Sequence, residues 1–183
     1  TPLRGMKLHT HDAGFRVAGI MNWPKRIKPG QTLDTPVSAL DLLPTLCELA
    51  GAAVPESLSL DGQSILPLLN NEPLERSRPL VWCYFNAINE ARVAMRHGQW
   101  KVLARLNGGE FPKLQNVTVN RQEAIQEAKL TNFEIYNIKD DISEEKNLVN
   151  GEDPQIAELQ KLLTTSFREL VSESHVWTVD KSE

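Results

Sequence analysis

Residues 91–106 read A-R-V-A-M-R-H-G-Q-W-K-V-L-A-R-L, two apolar runs rich in branched and aromatic side chains with one glycine between them. Runs of this length and composition suit strands, and a glycine tolerates the positive φ of a tight hairpin loop. With His97 and Gly98 as the loop, the spacing predicts a type I′ hairpin. Before it, L-V-W-C-Y-F at 80–85 is a further strand-like run; after it, F-E-I-Y-N-I at 133–138 alternates apolar and polar residues as a half-buried strand does. The charged K-D-D-I-S-E-E-K-N at 139–147 reads as a solvated turn, its acidic residues Asp140, Asp141, Glu144 and Glu145 flanked by lysines.

The clearest helix follows. Asp153 stands at the N-cap and Pro154 at the first helical position, where a missing N–H does no harm. Ile156, Leu159, Leu163, Phe167, Leu170 and Val171 then fall on one stripe, which predicts a long helix laid over a sheet face. Between Asn107 and Leu130 the chain turns polar; R-Q-E-A-I-Q-E-A-K-L predicts a helix on the sheet edge, and Asn116-Val117-Thr118 is a formal glycosylation sequon.

Upstream, F-R-V-A-G-I-M at 15–21 predicts a strand, and N-W-P-K-R-I-K-P-G-Q-T a basic surface loop. Asp41 is placed to cap a helix from Leu42 to Ala50, with Leu46, Leu49 and Ala50 on its inner face and Gly51 at its end. S-I-L-P-L-L allows one or two helical turns, and the proline-bearing stretch after it predicts a subdomain break near Arg78.

A hydrophobic share of 40% predicts a packed core, and a net charge of −4 leaves no excess of cations for a phosphate backbone, so nucleic acid is excluded as a partner class. No apolar run approaches the roughly 20 residues of a membrane-spanning helix. The first residues lack the apolar segment of a secretory signal. Cys47 and Cys83 sit in no metal or redox spacing and read as buried free thiols.

Several phrases then point one way in order: L-R-G-M-K with H-D-A-G-F-R-V, W-P-K-R-I, S-A-L-D-L-L-P-T-L-C-E-L-A-G, D-G-Q-S-I-L-P-L-L, R-H-G-Q-W-K-V-L, and E-I-Y-N-I-K-D-D-I-S-E-E-K-N-L. Together they resemble the C-terminal part of the arylsulfatase family, over nearly the whole chain apart from about residues 107–130. The resemblance implies an α/β fold: residues 1–78 ending an alkaline-phosphatase-like catalytic domain, and 79–183 forming a small α+β subdomain, an antiparallel sheet packed by the terminal helix. It implies hydrolysis of a sulfated small molecule or carbohydrate, with calcium and a formylglycine as the full-length protein's cofactors. A periplasmic, secreted or lysosomal setting is compatible with it. Phosphonate or phosphate monoester hydrolysis, or noncatalytic sugar binding, are the rival readings.

Lys7 matches the lysine of the family's R-G-x-K phrase, which holds a sulfate oxygen or the leaving-group oxygen. An ammonium set where negative charge develops stabilises a transition state. His9, His11 and Arg4 are candidate substrate contacts beside it, and Trp23, in a basic loop, is a candidate sugar contact. Two histidines without a thiolate or carboxylate partner make a poor metal site, so no metal ligand is assigned. Where the family usually has Glu-Gly-Gly and then Arg-Val-Pro, this chain has Asp12, Ala13 and Gly14, then Phe15, Arg16, Val17 and Ala18; Asp for Glu keeps the charge and shortens its reach. The family's C/S-x-P-x-R nucleophile phrase and its Asp-Asn metal pair do not occur, so the remaining N-terminal part of the catalytic domain is the implied partner, and this chain alone is expected to be inactive and poorly stable.

Overall fold

The computed structural model describes residues 2–114 and 117–178; Asn116 of the sequon lies outside them. Two compact units result, one of Thr1–Val17 with Val81–Glu183, the other of Ala18–Leu80. The break expected near Arg78 remains a proposal about the domains of the full-length protein. What the structure adds is that residues 2–17 group with the C-terminal sheet.

That sheet has four strands in the order β1-β2-β3-β4: β1 Leu80–Cys83, β2 Val93–His97, β3 Trp100–Leu106 and β4 Leu130–Asn137. Both resolved ladders, β2 with β3 and β3 with β4, are antiparallel. The hairpin forms one residue later than expected. His97 pairs with Trp100, so the loop is Gly98 and Gln99. Of those two only Gly98 has a positive φ, +54°, which puts the permissive residue first instead of second and departs from a type I′ turn. A register shift between Leu103 and Arg105 bulges the β3–β4 ladder.

The two faces of the sheet are covered differently. Helix α5, Pro154–Glu173, lies across β2, β3 and β4, and its buried Ile156, Leu159, Leu163 and Phe167 meet Val93, Met95, Val102, Ala104 and Ile135. Its start matches the sequence expectation: Asp153 Oδ1 accepts from the Gln155 N–H at 2.9 Å. Helix α4, Val119–Glu127, adds Ile125 to the same core. The opposite face carries Ala94, Leu103, Tyr136 and Ile138, with Phe15 and Trp82 packed against them.

No strand forms over residues 15–21. Asp12–Phe15 makes one helical turn, α1, and residues 16–21 carry no regular structure and are exposed, Val17 at 86% and Ile20 at 92%. Branched residues favour a strand only where a ladder partner exists, and none lies beside this segment among the described residues.

In the second unit, α2 spans Leu42–Ala50 as expected and ends at Gly51, whose φ of +65° is the left-handed cap. Asp41 does not cap it. Its carboxylate instead accepts from the Ser38 N–H at 2.7 Å and the Gln63 N–H at 3.0 Å, and pairs with Arg76, fully buried. The inner residue of α2 is Thr45, whose hydroxyl donates to the Asp41 carbonyl and accepts from the Ile65 N–H; Leu46 is 61% exposed. A single turn, α3, follows at Leu66–Leu69. No helix among the described residues is long and apolar enough to cross a membrane.

Candidate functional site

Residues 3–15 form a loop over the second face of the sheet. Its far side is tied down by Thr10, whose hydroxyl donates to the Ala91 carbonyl at 3.1 Å and accepts from Asn89 Nδ2 at 2.8 Å; its N–H donates to Asn89 Oδ1. The Ile88 N–H reaches the Leu8 carbonyl at 2.9 Å, and the Ala13 N–H closes back on the Arg4 carbonyl at 3.0 Å. Gly14 is required for this crossing. A Cβ there would stand 1.8 Å from the His9 carbonyl oxygen, far inside any permissible contact.

Lys7 occupies the outward turn of the loop, solvent-exposed, next to Leu8 at φ +73°. His9 is half-buried and His11 buried, their ring centroids 5.9 Å apart. His11 Nε2 lies 4.0 Å from Glu134 Oε2, beyond hydrogen-bond reach, and neither ring nitrogen has a partner among the described residues. Burial first, then the cations Arg4 and Lys101, holds its pKa down at about 4, so the ring is neutral at pH 7. Arg4 turns inward at its tip: Nη1 donates to the Glu144 carbonyl at 2.7 Å and to Tyr136 Oη at 3.0 Å. Trp23 belongs to the other unit, where Arg26 stacks over its ring at 5.4 Å. The loop therefore gathers four of the sequence candidates, Arg4, Lys7, His9 and His11.

Beneath the loop is a charged cluster that the sequence alone does not assemble. Lys101, on β3, is fully buried; its ammonium lies 3.1 Å from Asp12 Oδ1 and 3.6 Å from the centre of the Phe15 ring. Burial lowers its pKa to about 8 against the opposing pull of Asp12 and Glu144, which leaves it charged at pH 7. Asp12 meets Arg16 on its other oxygen at 3.5 Å. Glu144 is also fully buried, which corrects its reading as part of a solvated turn. Its Oε2 accepts from the Asp12 N–H at 2.9 Å, while Oε1 has no partner among the described residues, and burial pushes its pKa up to about 7. Tyr136, paired with Lys101 across the ladder, donates to Glu134 Oε2 at 2.7 Å; burial raises its phenol well above the ordinary range.

Lys101 was legible in one respect. Alternation in W-K-V-L-A-R-L sends it to the face opposite Val102 and Ala104, and a face with Leu103 on it is also a core face.

The groups that the resemblance implies do not find their residues here. Among the described residues no cluster of three His, Cys, Asp or Glu side chains is placed to hold a cation. Burial raises the Cys83 thiol to about 12, and Cys47 lies within α2 followed by Glu48, Leu49 and Ala50, which is not a formylglycine phrase. Among the described residues, then, the side chains present do not form a site for either group.

The family model described as N-sulphoglucosamine sulphohydrolase, C-terminal, matches residues 6–173. Steryl-sulfatase of Homo sapiens is 38% identical over 84 residues, covering 46% of this chain and 14% of that protein. Arylsulfatase A of Homo sapiens is 39% identical over 101 residues, 54% of this chain and 19% of that one. A solved structure described as Ps i-CgsB in complex with k-i-k-neocarrahexaose superposes with a TM-score of 0.64 at 27% identity, covering 97% of this chain and 34% of that chain. This chain thus spans a small part of the length of the proteins it matches.

Proposed function

We propose, from the premise that this chain belongs to the sulfatase family described as N-sulphoglucosamine sulphohydrolase, C-terminal, that the full-length protein hydrolyses a sulfate ester and that Lys7 steadies the charge developing in that step. The observation that carries the reading is the placement of Lys7: an exposed ammonium at the outward turn of a loop that Arg4, Thr10 and Asp12 tie inward. A compact cation with three donors suits a tetrahedral anion, and it acts on the transition state if it is already in place when charge builds on the sulfate or leaving oxygen. His9 and His11 beside it serve as contacts to the substrate. Burial keeps His11 unprotonated at pH 7, so its ring acts there as a neutral group.

The substrate class is an aryl or carbohydrate sulfate. A relative 39% identical, arylsulfatase A, supports the first. The structural neighbour's complex with k-i-k-neocarrahexaose supports the second, with Trp23, exposed at 38%, as a stacking surface. This chain supplies Lys7 and the C-terminal subdomain, and the nucleophile belongs to the other part of the protein, so the isolated chain turns over no aryl sulfate.

The test uses the full-length protein. Lys7→Ala lowers turnover of a sulfate ester by roughly 10²–10³, the cost of losing one preorganised charge-stabilising donor. Full activity in that variant removes Lys7 from the mechanism. Faster hydrolysis of a matched phosphate or phosphonate ester than of the sulfate ester favours the rival hydrolase reading.

A further inference from the structure

We propose that Glu144 and Lys101 are positioning residues that hold both ends of the Arg4–Asp12 loop, and so fix where Lys7, His9 and His11 stand. The role in catalysis rests on the sulfatase reading above; the role in holding the loop does not.

Glu144 grips the loop twice. Its backbone carbonyl accepts from Arg4 at 2.7 Å and its side-chain Oε2 accepts from the Asp12 N–H at 2.9 Å, so one residue clamps two points eight positions apart. The Ala13 N–H on the Arg4 carbonyl then closes the ring. Lys7 lies between the clamped points. Glu144 itself has φ +52°, an unfavourable backbone for a residue with a side chain, in a site where its carboxylate turns inward with one oxygen unpartnered. A glutamate in a charged turn would ordinarily face water, and strain of this kind persists only where the surroundings impose it.

Lys101 completes the anchor from below. Its ammonium meets Asp12 Oδ1, so Asp12 is held by its N–H from one side and by its carboxylate from the other. Stability alone does not account for this pair. Taking an ammonium and a carboxylate out of water is costly, and apolar side chains of similar volume in their place are often as stable or more so. A hydrogen-bonded ion pair offers direction, which an apolar contact does not. Phe15 and Trp82, at 4.2 Å between ring centres, stack beside Lys101 and shield the pair.

The experiment compares Glu144→Ala, Glu144→Gln and Lys101→Met in the full-length protein, with Lys7→Ala as reference. Amide hydrogen exchange is read at His9, Ala13, Gly14 and Arg16, all bonded within the loop, and at Leu159 to Phe167 of α5. Glu144→Ala and Lys101→Met speed loop exchange about tenfold or more without altering α5, and Glu144→Gln, which still accepts from the Asp12 N–H, stays near the parent. With sulfate ester, the first two lower kcat by up to roughly 10²-fold, the scale of a misplacement near 1 Å, and leave KM within a few-fold, while Glu144→Gln keeps kcat near the parent.

Loop exchange unchanged in Glu144→Ala and Lys101→Met overturns the proposal, as does equal acceleration in α5, which would mark general destabilisation. Should Glu144→Ala not fold, Lys101→Met decides by the same two readouts, since methionine fills similar volume. Full activity in Lys7→Ala together with a loosened loop in the Glu144 and Lys101 variants removes the sulfatase role of Lys7 and leaves the clamp standing. Lost activity in Lys7→Ala with an undisturbed loop in the others removes the clamp and keeps the reading of Lys7.

Discussion

The two faces of the four-stranded sheet carry opposite solutions to the same problem. On one, α5 lays Ile156, Leu159, Leu163 and Phe167 over Val93, Met95, Val102 and Ala104 with no buried charge among them. On the other, residues 4–15 cover Leu103 and Tyr136 through Lys101, Asp12, Glu144 and Arg4. Apolar contact scales with area and tolerates changes of shape, whereas a hydrogen-bonded charge must be met at a distance and an angle. The helix face therefore supplies stability. The loop face supplies position, at a cost in desolvation, and it is the face that carries the candidate site.

The sharpest way to break that division is at its apolar end. Phe167 is completely buried against the sheet. Phe167→Ala removes its contacts and leaves a cavity, so it costs about 3–5 kcal/mol of unfolding free energy, while the kcat of the protein that remains folded changes little. Chemical denaturation with a parallel activity assay checks both halves. A large fall in kcat at full folding would mean that the faces are not separable.

The charged face gives the next largest effect, and it depends on pH. Glu144 keeps its proton up to about 7 in the folded chain and only to 4.5 in the unfolded one. A carboxyl whose pKa rises on folding stabilises the fold fully below the unfolded value and loses that contribution as pH climbs through the folded one. Stability from Glu144 therefore drains away between about pH 4.5 and 7. His11 runs the other way. Its pKa falls from 6.5 to about 4, so its contribution is present above 6.5 and lost as pH drops toward 4. The two slopes oppose each other over the same window, with Lys101, Asp12 and Arg4 as the charges facing Glu144. Replacing Glu144 by Gln removes one slope only. The stability difference between Glu144→Gln and the parent should grow in favour of the variant from pH 4.5 to 7, by on the order of 1–3 kcal/mol, then level off. A difference that stays flat across that window would show that Glu144 is ionised throughout.

The same contrast governs what could be read in the sequence. The helix face was legible because its signal is local: a 3.6-residue period after Asp153 and Pro154 states both the start of α5 and its buried stripe. The hairpin was legible too, but its loop was placed one residue early, since composition marks Gly98 without saying which central position it takes. The strand expected at 15–21 failed because branched residues report propensity and not the presence of a partner. On the loop face, Lys7, Arg4, His9 and His11 were legible as one phrase in the chain. Their anchors were not. Lys101 lies 89 residues from Asp12 and Glu144 lies 132, and nothing local in E-E-K-N separates a buried Glu144 from an exposed Glu145.

The smallest effect tests whether the helix face reaches the loop at all. Asp153 accepts from the Gln155 N–H and satisfies one of the donors left open at the start of α5. Asp153→Ala loses that cap, for about 1 kcal/mol, without touching a core side chain. The first turn of α5 should fray, and Ile156, the nearest buried residue of the stripe, should loosen first. Hydrogen exchange at the N-terminal turn of α5 should then quicken while the amides of Ala13 and Gly14 hold their rates. The loop is tied to the 89–91 segment, β3, β4 and the 139–147 turn through Thr10, Lys101, Tyr136 and Glu144, and none of those bonds passes through α5. Quickened exchange in the loop would show instead that the sheet transmits strain from one face to the other, and the division between a stabilising face and a positioning face would have to be given up.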